Sequence, residues 1–168
     1  VSKIYVDEIL PKDNATVDGS KLSGLISSAM PTGSVIQVQS TSTNTTTVIG
    51  TANTWTAPTD LNVSITPKFA TSKILIVANV DYDANAAGRM QWFTLYRDST
   101  NLGEATNGFS ANTSSGGRLQ GEAGMNYLDS PNTTSSITYS VYTKCNSTST
   151  YVNLYGSYST ITVMEIAG

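Results

Sequence analysis

Lys73 to Tyr82, which reads Lys-Ile-Leu-Ile-Val-Ala-Asn-Val-Asp-Tyr, is the longest apolar run in the chain. It is too short to cross a membrane as a helix and is rich in β-branched residues, so it reads as a strand. Side chains alternate between the two faces of a strand. One face carries Ile74, Ile76, Ala78, Val80 and Tyr82 and is apolar throughout. The other carries Lys73, Leu75, Val77, Asn79 and Asp81 and is apolar only at Leu75 and Val77. Such a strand belongs in the middle of a sheet, with one face in a core and the other half covered. Each large aliphatic side chain buried there contributes about 1.5–3 kcal/mol. No other run offers as much, so the fold is organised around this one, and a subunit interface is the obvious cover for its second face.

The 168 residues suffice for one domain with a true core plus an appendage. Charged residues make up 12%, about half the usual share of about 25%, while about a third of the chain is Ser, Thr or Asn. A surface solvated by hydroxyls and amides suits an extracellular or virion protein made of strands. The net charge of −3 argues against nucleic acid, whose phosphates require a basic stripe. No apolar stretch approaches the length of a membrane span, and no signal peptide is visible. The single cysteine, Cys145, has no partner for an internal disulfide and reads as a small buried filler. Without any histidine, Ser-His or Cys-His catalysis and imidazole-based zinc sites are excluded.

Ile4 to Leu10 is strand-like and stops at Pro11. A strand this short needs a partner from another chain or from the body. Between Asp18 and Met30 the period changes: Leu22, Leu25, Ile26, Ala29 and Met30 form one helical stripe, ended by Pro31 and Gly33. That stripe predicts a short neck in which several chains meet, with docking on the chain's own body or an irregular linker as the alternatives. From Gly33 onward the pattern is strand and turn. Val35 to Gln39 alternates, with Ile36 and Val38 inward, and Ser40 to Thr47 is a polar loop or edge strand. Strands are predicted at Leu61–Ile65, Gln91–Arg97, Ile137–Thr143, Tyr151–Tyr155 and Ser159–Ile166, while Thr106 to Gly117 reads as a long loop. The last strand is placed beside the Ile74 run. The whole calls for an all-β antiparallel sandwich of jelly-roll type, with residues 1–19 as an N-terminal segment, 20–33 as neck or linker and 34–168 as the head.

Asp81 and Asp83 form an Asp-x-Asp pair with Asn85 close by. Three oxygen ligands fall short of the 6–8 or so that calcium takes, which favours a solvated loop. Glu104, Glu122, Asp129 and Glu165 contain no pair that the sequence places at a glycosidase separation. Aromatic residues are the better lead: Trp55, Phe109, Tyr151, Tyr155 and Tyr158 fall in or beside loops, and flat rings with a polar edge suit sugar or protein contacts. The alternative is that they fill a subunit seam or cap the sandwich. The six Asn-x-Ser/Thr sites at Asn14, Asn44, Asn62, Asn112, Asn132 and Asn146 follow from the abundance of Ser and Thr.

Several segments, in order, resemble a class of bacteriophage virion proteins of tail-fibre or fibre-like type, as found in marine and cyanobacterial phages. They are Met30 to Val38, Leu61 to Pro67 followed by Ser72 to Ile76, Phe93 to Asp98 with Leu102 and Gly103, Tyr127 to Pro131, Ser136 to Tyr139, and Thr160 to Ile166. The resemblance implies a homotrimeric fibre or spike head, distantly similar to trimeric jelly rolls of the tumour necrosis factor type. It also implies a virion location on tail or capsid, and an opening segment, through Ile4, Tyr5, Val6 and Ile9, that attaches to other virion proteins. On this reading Leu75 and Val77 of the head and Leu22, Leu25 and Ile26 of the neck form the oligomer interface. The protein is then no enzyme and needs no cofactor. A host-surface glycan or protein is its outward partner, with capsid decoration as the alternative role and a polysaccharide-degrading tailspike as a lesser one.

Overall fold

The computed structural model describes residues 31–147 and 150–168. The attachment residues Ile4, Tyr5, Val6 and Ile9 and the helical stripe Leu22, Leu25 and Ile26 lie outside the described residues. The chain divides into two units, Val1–Thr32 and Gly33–Gly168.

The strands of the second unit, in chain order, are β1 (Val35–Thr43), β2 (Thr47–Ile49), β3 (Asn62–Ile65), β4 (Lys73–Ala84), β5 (Met90–Arg97), β6 (Thr100–Asn101), β7 (Ser110–Thr113), β8 (Leu119–Asp129), β9 (Ile137–Cys145), β10 (Thr150–Val152) and β11 (Ser159–Ile166). All ladder pairs between them are antiparallel. β10 and β11 both pair with β4, one along each half of it, and so form one interrupted strand line. β2 and β1 extend that arrangement outward on β10 and β11. The larger sheet therefore has four lines: β1/β2, β11/β10, β4 and β8. The smaller runs β3, β9, β5 and then β6 and β7. Taken as lines (β1 with β2, β3, β4, β5 to β7, β8, β9, and β10 with β11), the strands alternate between the sheets in the path of a jelly roll, two Greek keys closed on one core. No helix among the described residues is long and apolar enough to cross a membrane.

β4 occupies the position its pattern predicts. Ile74, Ile76, Ala78 and Val80 are fully buried and Tyr82 nearly so, and β11 and β8 flank it. The core adds Phe93 and Leu95 from β5, Tyr139 and Val141 from β9, and Ile161 and Val163 from β11. β8 forms the longest ladder with β4, yet carries few strand-forming residues. Its inward side chains are matched in size to those opposite: Gly121 faces Tyr82, Ala123 faces Val80, Met125 faces Ala78 and Tyr127 faces Ile76. At Gly121 a Cβ would come within 2.9 Å of the Tyr82 hydroxyl. Gly121 thus leaves the space that the Tyr82 ring occupies.

Four sequence expectations are corrected. In β1 the register shifts between Val35 and Gln37. Such an irregularity reverses the facing of everything downstream. Gln37 points in, with Nε2 donating to Glu165 Oε2 at 2.6 Å, and Val38 points out at 50% exposure. The Thr106–Gly117 loop contains β7, which pairs with β5. The strand predicted at Tyr151–Tyr155 stops at Val152 and gives way to a 3-10 turn at Leu154–Gly156. Asp81 and Asp83 belong to β4 itself, and Asp83 is fully buried rather than solvated.

Candidate functional site

The outward face of the larger sheet is the first candidate surface. Paired residues on antiparallel strands share a face. Val38 pairs with Met164, Met164 with Leu75 and Leu75 with Leu128, so four aliphatic side chains line up across the sheet. Val38 is 50% exposed and Leu128 47%, while Leu75 and Met164 are half-buried. The next row is Ser40, Thr162, Val77 and Asn126, with Val77 exposed and the Ser40 and Thr162 hydroxyls 2.8 Å apart. Ser42, Thr160, Asn79 and Gly124 follow. These three rows contain no charge, and depletion of charge marks the buried centre of a protein interface. Both predicted head-interface residues, Leu75 and Val77, lie here. Sequence reasoning missed Val38, Met164 and Leu128. The alternation of β11 could have found Met164, but the register shift hid Val38.

The rows further along turn acidic. Asp81 stands opposite Glu122. Burial holds the Asp81 carboxyl above the usual carboxylate range; the charges of Glu122 and Asp83 push the same way, and hydrogen bonds from Ser157 and the Asn153 N–H oppose them. Asp83 accepts from Arg118 Nε at 2.7 Å and Nη2 at 2.5 Å, both on Oδ2. Those hydrogen bonds, with a further one to Tyr155, hold the Arg118 guanidinium more firmly in its charged form. Arg118 Nη1 lies 3.2 Å from the Tyr155 hydroxyl, and its Cζ lies 5.0 Å from the centre of that ring. Asn85, Arg118, Tyr151, Leu154 and Tyr155 frame a hollow of about 320 Å³. It sits at the end of the sandwich where the 50–61, 85–89 and 114–118 loops gather. Gly33 and Ala167, joined by an N–H···O bond of 2.8 Å, lie at the other end.

The predicted recognition aromatics separate into three groups. Tyr155 and Tyr158 are 76% and 63% exposed, and Tyr151 is half-buried beside Tyr155. Trp55 lies on the outward face of the smaller sheet. There Lys144 Nζ sits 4.7 Å from its ring and 5.2 Å from that of Trp92, and Trp55 Nε1 donates to the Ala105 carbonyl at 3.1 Å. Phe109 is turned inward: it packs against the core with its ring edge-on to Tyr127 at 5.4 Å, so it closes the side of the sandwich rather than presenting a ring. Trp92, Tyr96 and Tyr142 complete an aromatic strip beside Lys144, with the two tyrosines stacked at 3.9 Å. The outward position of Trp92 and Tyr96 was readable from the alternation of β5; their neighbours were not.

Three of the four candidate acids accept hydrogen bonds from within the chain. Asp129 accepts from Arg97 at 2.8 and 3.0 Å and from the Tyr139 hydroxyl at 2.7 Å. Glu165 is fully buried and accepts from the Lys68 and Phe69 N–H groups and from Gln37. Glu104 is exposed and bonded to the Asn107 N–H, and Glu122 is exposed opposite Asp81. Among the described residues no three His, Cys, Asp or Glu side chains converge as a metal site. Cys145 is buried, its thiol directed at the Ile49 and Ser147 carbonyls.

No protein-family model matches the sequence, and no curated protein does. Among solved structures, the chain is similar to that of infectious bursal disease virus, Gx strain, with TM-score 0.46, 13% identity and coverage of 98% of this chain and 38% of that one. It is similar also to a mutant VP2 protein of infectious bursal disease virus from T=1 particles, with TM-score 0.34, 13% identity and coverage of 98% and 41%. The chain spans about two fifths of the length of either.

Proposed function

We propose that this chain is a non-enzymatic structural protein of a virion, whose jelly-roll body is a homotrimeric head of the bacteriophage fibre type that its sequence resembles. Copies meet on the outward face of the larger sheet, through Leu75, Val77 and the row they extend. The loop-bearing end, with Tyr151, Tyr155 and Tyr158, faces the host surface. Ile4, Tyr5, Val6 and Ile9 attach the protein to its particle. The observation that carries this reading is the uncharged aliphatic row Val38, Met164, Leu75 and Leu128, exposed at Val38 and Leu128 and half-buried between them among the described residues. Contiguous apolar surface of this kind, rimmed by polar residues, marks an interaction site. Heads that each bind weakly gain strength when several sit on one particle.

Sedimentation at micromolar concentration and neutral pH tests the assembly. A mass three times the 17.8 kDa of one chain is expected, and a monomer would overturn it. Val77→Asp places a carboxylate in the uncharged rows and is expected to dissociate the trimer while leaving the sandwich folded, because Val77 points away from the core. An undisturbed trimer would show that the subunits meet elsewhere. An electron-microscopy map that locates the chain on a particle tests the virion assignment.

A further inference from the structure

We infer that the hollow between Tyr155, Tyr151, Arg118, Asn85 and Leu154 is a binding site for a neutral pyranose sugar; the assignment of that sugar to a host surface rests on the proposed virion function. The site is built by an excursion of the chain. Val152 pairs with Tyr82 and Thr160 with Asn79, so eight steps on one strand line face three on the other. The surplus loops out as residues 153–158. It is pinned at its root: Asn153 is buried, its Nδ2 donates to the Thr43 carbonyl at 3.1 Å, and its Oδ1 accepts from Ser159 Oγ at 2.5 Å. Asn153, Tyr155 and Gly156 all have positive φ, 57°, 63° and 79°. A bulky aromatic is rarely found there, and such strain gathers at ligand sites. In this chain it holds the Tyr155 ring outward at 76% exposure.

The chemistry of the lining selects the ligand. Arg118 is fixed at both ends, on Asp83 and on Tyr155. The fully buried Asp83 carboxylate matches its charge, so the hollow offers N–H donors without net positive charge. A phosphate or carboxylate would find the guanidinium charge already matched by Asp83, whereas a polyol needs only the donors. The Asn85 amide and the two tyrosine hydroxyls add donors and acceptors, and the part of the Tyr155 ring not faced by the guanidinium suits the C–H face of a sugar. About 320 Å³ is at the small end of ligand sites, which start near 300 Å³ or so, and fits one ring rather than a chain. A shallow site of this size without net positive charge binds weakly, with Kd on the order of 1 mM.

The test titrates the whole chain with the methyl glycosides of glucose, galactose, mannose, N-acetylglucosamine and rhamnose, and with glucuronate as the charged counterpart, followed by NMR. At least one neutral glycoside is expected to give saturable shifts that include Asn85 and Tyr155. Tyr155→Gly removes the ring at a backbone position that glycine favours. It is expected to melt no lower than the parent yet to bind about tenfold more weakly. Trp55→Ala, on the other sheet, is expected to bind as the parent does. Absence of binding by all five neutral glycosides, tighter binding of glucuronate, or parental binding by Tyr155→Gly would each overturn the assignment. Sugar binding by a chain that no particle carries would sink the virion reading alone. A particle-borne head that binds none of the five would sink this site alone.

Discussion

Tyr139 is fully buried, and its hydroxyl donates to Asp129, which also holds Arg97. Burial first, then the hydrogen bond to Asp129 and its charge, push the Tyr139 hydroxyl far above its ordinary pKa of 10.0. A group whose pKa is raised by folding stabilises fully below its unfolded value, and the contribution is lost as pH rises above it. Stability should therefore fall above pH 10 or so, and Tyr139→Phe should flatten that fall. At neutral pH the same substitution leaves the buried Asp129 short of one donor and should cost about 1.5–3 kcal/mol, read from urea unfolding at both pH values. Nothing in the sequence separated Asp129 or Asp83 from the exposed acids. Each is made structural by an arginine at least 30 residues away in the chain, Arg97 and Arg118 respectively, and periodicity carries no information at that distance.

β4 was legible because both of its faces are written in ten adjacent residues, and β11 because it is dense in β-branched ones. β8 was not, although it makes the longest ladder with β4. Its glycines and alanine look like loop until the residues opposite are known, since Gly121 is favourable only because Tyr82 fills the space. The same dependence on partners hid the facing of Val38, which a single register shift reversed. It hid the hollow at Tyr155 as well, because Asn85, Arg118 and Tyr151 come from three separate segments. The β4–β8 ladder also carries a like-charge pair, Asp81 opposite Glu122. Such pairs are destabilising by about 0.2–1 kcal/mol. Glu122→Gln should therefore raise the melting temperature at pH 7. The gain should vanish in acid once Asp81, which takes up its proton at a higher pH than an ordinary aspartate, is neutral. An equal gain at pH 3 would mean that charge is not the cause.

In the body as a whole, β1 and β11 bring together residues from the two ends of the described chain, and β11 lies between β1 and β4. The sheet is thus completed last by sequence and held by non-local pairing, for which folding in milliseconds to seconds is usual. Ending the chain after Tyr158 removes the buried Ile161 and Val163 and leaves β1 without a partner. Circular dichroism should then show no cooperative thermal transition, whereas a sharp melt would mean that β11 is dispensable. The layered arrangement was predictable from turn-marked strand spacing alone. Which rows of the outward face lack charge became visible only when four strands were laid in register. Finally, Gly33 donates to the Ala167 carbonyl and Ala167 to that of Ser34, both at 2.8 Å. The backbone that leads into this body and the one that leads out are separated by no more than the gap between neighbouring strands. A body with its two ends so close can be spliced into a surface turn of another protein without prising the flanks of that turn apart.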